Sequence, residues 1–151
     1  MKLIELIGSG DKIMLFTLPF LVIGLGINIL NPEWFYVGGP EAELQIISII
    51  LFTAGVIIWL WSVYLILARA SKNKLITNGP FAIVKHPLYT SVSLLVLPWF
   101  GFLCDTWLGI IIGGAMYIGS RKYASEEERK LAKTFGENWE AYKTKVQIPW
   151  L

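Results

Sequence analysis

One cysteine and one histidine are all that the 151 residues contain of those two types, and charged residues make up only 16% of the chain. Each scarcity excludes something. A lone Cys104 leaves no internal disulfide, and Cys104 with His86 falls short of the clustered ligands of a structural zinc site, so no metal cofactor is expected. A formal net charge of +2 is too small to imply a nucleic-acid partner. No internal repeat or low-complexity stretch divides the chain, so it reads as one domain over 1–151. No Lys, Arg, Asp, Glu or His falls within residues 13–30, 44–68, 88–104 or 106–120. Ion pumps and many transporters need such groups at depth, and their absence lowers that class of function.

What is abundant is apolar surface. At 55% hydrophobic residues the composition lies outside the soluble range, and a bilayer is the expected solvent. A helix needs roughly 20 residues to cross the hydrocarbon core. The runs 13–30 and 44–68 reach, whereas 88–104 and 106–120 are short and fit only as a hairpin joined near Cys104, Asp105 and Thr106, tilted or with local thinning. The expected fold is all-α: a polytopic membrane bundle of about four transmembrane helices, with a loop at 71–89 and an amphipathic, cytoplasmic C-terminal helical tail at 121–151. The start MKLIELIGSGDKIML lacks the features of a cleaved signal, so the first run is expected to be retained.

Charge placement sets an orientation. Lys2 and Lys12 precede the first run, Arg69, Lys72, Lys74 and Lys85 lie between the second and third, and the remaining seven basic residues fall between Arg121 and Lys145. The other two loops have none. Basic residues stay on the cytoplasmic side, so both termini and the loop from Arg69 to Pro87 are expected there, with Glu33, Glu41, Glu43 and Asp105 opposite. Trp34, Trp99 and Trp107 suit the outer interface and Trp150 the inner one, while Trp59 and Trp61 sit deeper, as lipid-facing bulk or as a pocket wall.

Two segments carry chemistry. In KNKLITNGPFAIVKHPLYTSV, Asn78, Gly79 and Pro80 make a turn. His86-Pro87 puts His86 immediately outside the N-terminus of the third helix, since the residue before proline is pushed out of helical geometry and proline suits the first helical position. That helix start suits a carboxylate or a hydrogen-bonding ligand, and Tyr89, three residues on, could touch the same molecule. An interfacial histidine capping a helix, with Tyr89 as a belt aromatic, is the plainer alternative. In the tail, Ser125 and Glu128 fit a capping box, with Glu126 and Glu127 as helix-start acids. Leu131 and Phe135 are expected on an apolar stripe facing the membrane or bundle, Gly136 ends the helix, and a second short helix runs from about Asn138 to Lys145. The tail is expected to fold back over the cytoplasmic mouth.

GPFAIVKHPLY resembles the Gly-Pro-aromatic, Arg-His-Pro-x-Tyr signature of the isoprenylcysteine carboxyl methyltransferase and phospholipid methyltransferase superfamily. EEERKLAKTFGENWEAYKTKVQIP is similar to the same family's second motif, and the paired motifs in this order are more specific than either alone. The resemblance covers roughly residues 44–149. It implies methyl transfer from S-adenosylmethionine to a lipid-like or prenylated acceptor at the cytoplasmic face, with a prenylcysteine-type carboxylate foremost. It also implies a cofactor site of Leu75, Ile76, Phe81, His86, Pro87, Leu88, Tyr89 and Glu127, and Arg121 and Tyr123 on the acceptor side. Isoprenylcysteine enzymes carry an arginine four residues before the first Glu, where this chain has Tyr123; Arg121 and Lys122 are close by. Lys85 likewise stands where arginine is usual, without its bidentate grip. A phospholipid amine or a small thiol are the alternative acceptors. A non-catalytic membrane carrier or assembly subunit is the rival class.

Overall fold

The computed structural model describes residues 9–39, 41–70 and 74–149, with the backbone alone at 69 and 70. Lys2, Lys72 and Trp150 of the sequence reading lie outside the described residues, as do the ends of the expected loop and tail.

Every regular element among the described residues is helical: α1 (Gly10–Leu30), α2 (Ala42–Ala70), α3 (Pro87–Leu103), α4 (Leu108–Phe135) and α5 (Glu137–Lys145), with single turns at Pro32–Trp34 and Pro80–Ile83. Two of them, α1 and Ala42–Ala68 of α2, are long and apolar enough to cross a membrane. Only 11% and 17% of their most apolar stretches are buried, whereas the core helix of a soluble protein would be mostly covered. Met14, Leu15, Ile23, Ile29, Ile46, Ile50, Leu60 and Leu67 all face outward. These two helices point to membrane association.

Helix α4 is the hub, packing against both α1 and α3, while α2 closes the far side of α3. Small residues make this possible. Gly109 of α4 sits so close to α3 that a Cβ there would run into the Leu97 carbonyl and come within 2.8 Å of Gly101 Cα. Gly113 meets Ser93 in the same way one turn on, a small-residue seam of the kind that holds helices together where lipid gives no hydrophobic drive. Gly55 lets α2 approach the backbone of Val96. Helix α3 carries a π-turn at Val92–Val96, closed by the Leu97 N–H to the Val92 carbonyl. Pro98 follows directly; it has no N–H to give Leu94 and its ring would strike that carbonyl, so the widened turn is its local cost.

At one end of the bundle the Asn31–Glu41 connection and the 104–107 hairpin are stitched by Trp107 N–H to the Phe35 carbonyl at 2.8 Å and Val37 N–H to the Asp105 carbonyl at 3.3 Å. Asp105 takes the left-handed region, φ 58°, and its carboxylate accepts from Gly39 N–H at 3.2 Å. Trp99, Phe102 and Trp107 form an aromatic chain beside it.

At the other end the structure departs from the sequence reading twice. Helix α4 runs unbroken for 28 residues from its apolar half into the charged segment, so Ser125 is no N-cap: its hydroxyl donates backward to the Lys122 carbonyl. Ala124 and the glutamates continue a helix as readily as they start one. And Leu131 and Phe135 face neither lipid nor bundle. They pack with Leu75 on a small core of the tail itself, Trp139, Tyr142 and Val146.

Candidate functional site

The 74–87 segment and the tail are built into one another. Gly79 adopts φ 62°, the conformation the Asn-Gly-Pro turn asks for, and lies against Trp61 and Leu65 of α2. Gly136, at φ 51°, turns the chain from α4 into α5. The buried Tyr142 hydroxyl then donates to the Phe81 carbonyl at 2.7 Å, and burial pushes that phenol's pKa up, so it stays a neutral donor. Gln147 and Ile148 N–H groups donate to the Ala82 and Ile83 carbonyls at 3.3 and 2.8 Å. The tail thus folds back over the loop.

His86 is the N-cap of α3, with Pro87 fully buried at its first position. Its ring lies 6.4 Å from that of Tyr89, three residues on, which is 6% exposed. Facing them is the acidic stretch of α4. Glu128 Oε1 accepts from Lys85 Nζ at 2.6 Å and stands 3.2 Å from His86 Nε2. The His86 hydrogen bond, with the bond and charge of Lys85 behind it, brings the Glu128 carboxyl down to about 2 despite partial burial. Glu128 is a carboxylate at any physiological pH.

Glu127 has the opposite environment. Its Oε2 is buried and has no hydrogen-bond partner. Burial raises its carboxyl above the ordinary range, and the charge of Glu128 adds to this, while His86 and Lys130 pull the other way. Successive helix residues stand about 100° apart, so one glutamate grips Lys85 and His86 while its neighbour keeps an unsatisfied oxygen on a different bearing, its charge felt by both His86 and Tyr89. An unpaired buried acceptor costs about 1–3 kcal/mol, and such groups call for a reason.

The remaining sequence candidates divide. Leu75 lines a cleft of about 530 Å³ between the loop and α5, with Thr77, Phe135, Asn138 and Tyr142 around it and Lys74 and Lys145 at its sides. Ile76 is buried, Phe81 contributes its carbonyl, and Leu88 is half-buried in the first turn of α3. Tyr123 faces α1: its ring meets Phe16 edge-on at 6.3 Å, and Lys12 and Lys122 lie 6.0 and 5.6 Å from its centroid. Arg121 is exposed on α4 and is not without a partner.

In the sequence alone Glu128 reads as half of a capping box and Lys85 as a substitute for arginine. The signal available was their order: a cation directly before the histidine and two acids in succession opposite. Which acid faces which partner depends on helix phase, and three consecutive glutamates leave that open. Comparison with protein-family models, with curated proteins and with solved structures found no match for this chain.

Proposed function

We propose that this chain is an integral membrane methyltransferase that uses S-adenosylmethionine to methylate a lipid-like acceptor, with α1 to α4 as four spans and both termini cytoplasmic. The observation that carries the reading is the buried, unpartnered Oε2 of Glu127, a residue whose charge acts on His86 and Tyr89. A carboxylate oxygen kept from water suits a cationic amino group or a ribose hydroxyl, a charge-assisted contact of the stronger class. The bound cofactor supplies a methyl group on a sulfonium sulfur. The chain's part is to hold the reactants and exclude water: Glu127 accepts from the cofactor, Tyr89 walls the site, and the Tyr142–Phe81 and Lys85–Glu128 bonds keep loop and tail closed over it. Well-set proximity supplies roughly 7–11 kcal/mol toward such a displacement.

The four-span reading draws on α3 and the apolar half of α4. Pro87–Leu103 spans about 26 Å, slightly short of a ~30 Å core, so it crosses with local thinning. The basic residues of the 74–87 loop and the tail set the orientation.

Calorimetry of S-adenosylmethionine with the detergent-solubilised protein tests this. Binding is expected, weakened at least about tenfold, roughly 1.4 kcal/mol, by His86→Ala and by Glu127→Ala. A wild-type protein that does not bind it leaves the non-catalytic carrier or assembly subunit as the better account. Offering a farnesylated cysteine analogue, phosphatidylethanolamine and a short thiol with a labelled methyl donor then identifies the acceptor.

A further inference from the structure

An imidazole beside a carboxylate that is ionised at all working pH values has its tautomer chosen for it. Glu128 Oε1 can only accept, and the nitrogen 3.2 Å away is His86 Nε2, so the proton of the neutral ring sits on Nε2. Nδ1 is then the nitrogen with the lone pair, and it has no partner among the described residues. This is the arrangement by which a carboxylate orients a histidine base and stabilises the imidazolium it becomes. Lys85 holds the same oxygen at 2.6 Å and anchors the carboxylate in place.

The cations around the site bear on what that base is for. A carboxylate acceptor has no proton to lose at neutral pH and needs a cation to position it. Lys85 is bound to Glu128, Lys12 is paired with Glu126, and Lys122 lies over the rings of Phe16 and Tyr123. Arg121, exposed on α4, already has a partner. A base is in place, whereas these four cations are engaged; Lys130, exposed on α4, acts on the Glu127 carboxyl.

We propose that Glu128 is a positioning residue that fixes His86 as the Nε2–H tautomer, that Nδ1 is the base of the reaction, and that the methyl acceptor is a protic nitrogen or sulfur. This rests on the methyltransferase reading above. The acceptor's ammonium N–H or thiol S–H proton passes to Nδ1, and the lone pair so exposed forms the bond to the methyl carbon. The methyl–sulfur bond breaks with its pair staying on sulfur, which leaves as a neutral thioether.

His86 is the chain's one histidine, so ¹⁵N-histidine labelling of the full chain, purified without a histidine tag, gives a single imidazole to observe. The neutral ring is expected as Nε2–H; a predominant Nδ1–H form overturns the proposal whatever the protein methylates. In the transfer assay, Glu128→Gln, whose amide oxygen can still accept from Lys85 and so keep the loop closed, is expected to slow methylation of phosphatidylethanolamine or the thiol at least about tenfold and to leave cofactor affinity within about threefold. Glu128→Asp is expected to recover part of the rate. An unchanged rate in Glu128→Gln, or label on the farnesylated cysteine carboxylate alone, overturns it. Absent cofactor binding by the wild type sinks the methyltransferase reading itself, and the tautomer measurement separates the two failures.

Discussion

The two ends of the bundle solve the same problem in opposite ways. Where the Asn31–Glu41 connection meets the 104–107 hairpin, backbone donors find backbone carbonyls, Asp105 caps Gly39, and no Lys, Arg or His is present. At the far end, a loop and a tail distant in sequence are joined through side chains, Lys85, His86 and Glu128 meet within 3.2 Å, and one buried carboxylate oxygen is left unsatisfied. The first end is what a chain does when it needs only to turn around. The second tolerates a cost that closure alone does not require, and that difference is the strongest sign that it is where a ligand belongs.

The comparison can be broken most forcefully at the tail. Trp139 is 2% exposed at the centre of the α5 core, and Trp139→Ala is expected to cost that unit about 3–5 kcal/mol. Hydrogen exchange should then report lost protection at Glu137–Lys145 and at Ile148, with α1 and α2 unaffected; a uniform loss would mean that the tail is no separate unit. At the closed end, Gly109→Ala forces a methyl into backbone that has no side chain to yield, and should lower stability by about 1–3 kcal/mol, read as a lower thermal midpoint in detergent. An unchanged midpoint would show that the α3–α4 seam is looser than its spacing implies.

A subtler test sets the sign. Because the folded state raises the Glu127 pKa, its charged form is disfavoured, so the ligand-free wild type loses stability as pH rises above the ordinary carboxyl value of 4.5. Glu127→Gln is expected to be about 1 kcal/mol more stable than the wild type at pH 7 and to lose that advantage near pH 4, while binding S-adenosylmethionine less well. Denaturant melts at the two pH values decide it, and a destabilised variant at pH 7 would mean the carboxylate has a structural partner. Smallest is Lys12→Ala, which removes an exposed pair with Glu126 and should leave the midpoint unmoved.

Much of the architecture was legible because punctuation residues act locally. His86-Pro87 gave the start of α3, Asn78-Gly79-Pro80 the turn before it, Gly136 the break into α5, and Cys104 to Thr106 the hairpin. What escaped depended on distant partners. Ser125 and its glutamates have the composition of a helix start, yet nothing local tells a helix to begin when the preceding turns are already helical. Leu131 and Phe135 announce an apolar face without saying what covers it, and the answer, Trp139 and Tyr142, lies beyond a turn. Within the site, the spacing of His86 and Tyr89 was readable, whereas the division of labour between Glu127 and Glu128 is a matter of helix phase.

Helix α4 carries an apolar half, packed in the bundle, and the acidic residues of the candidate site on one uninterrupted rod about 42 Å long. Such a rod is a lever. Whatever leans its apolar half against α1 and α3 swings the two glutamates bodily relative to the loop they face, so the packing of the bundle and the alignment of the acidic cluster are set by a single angle.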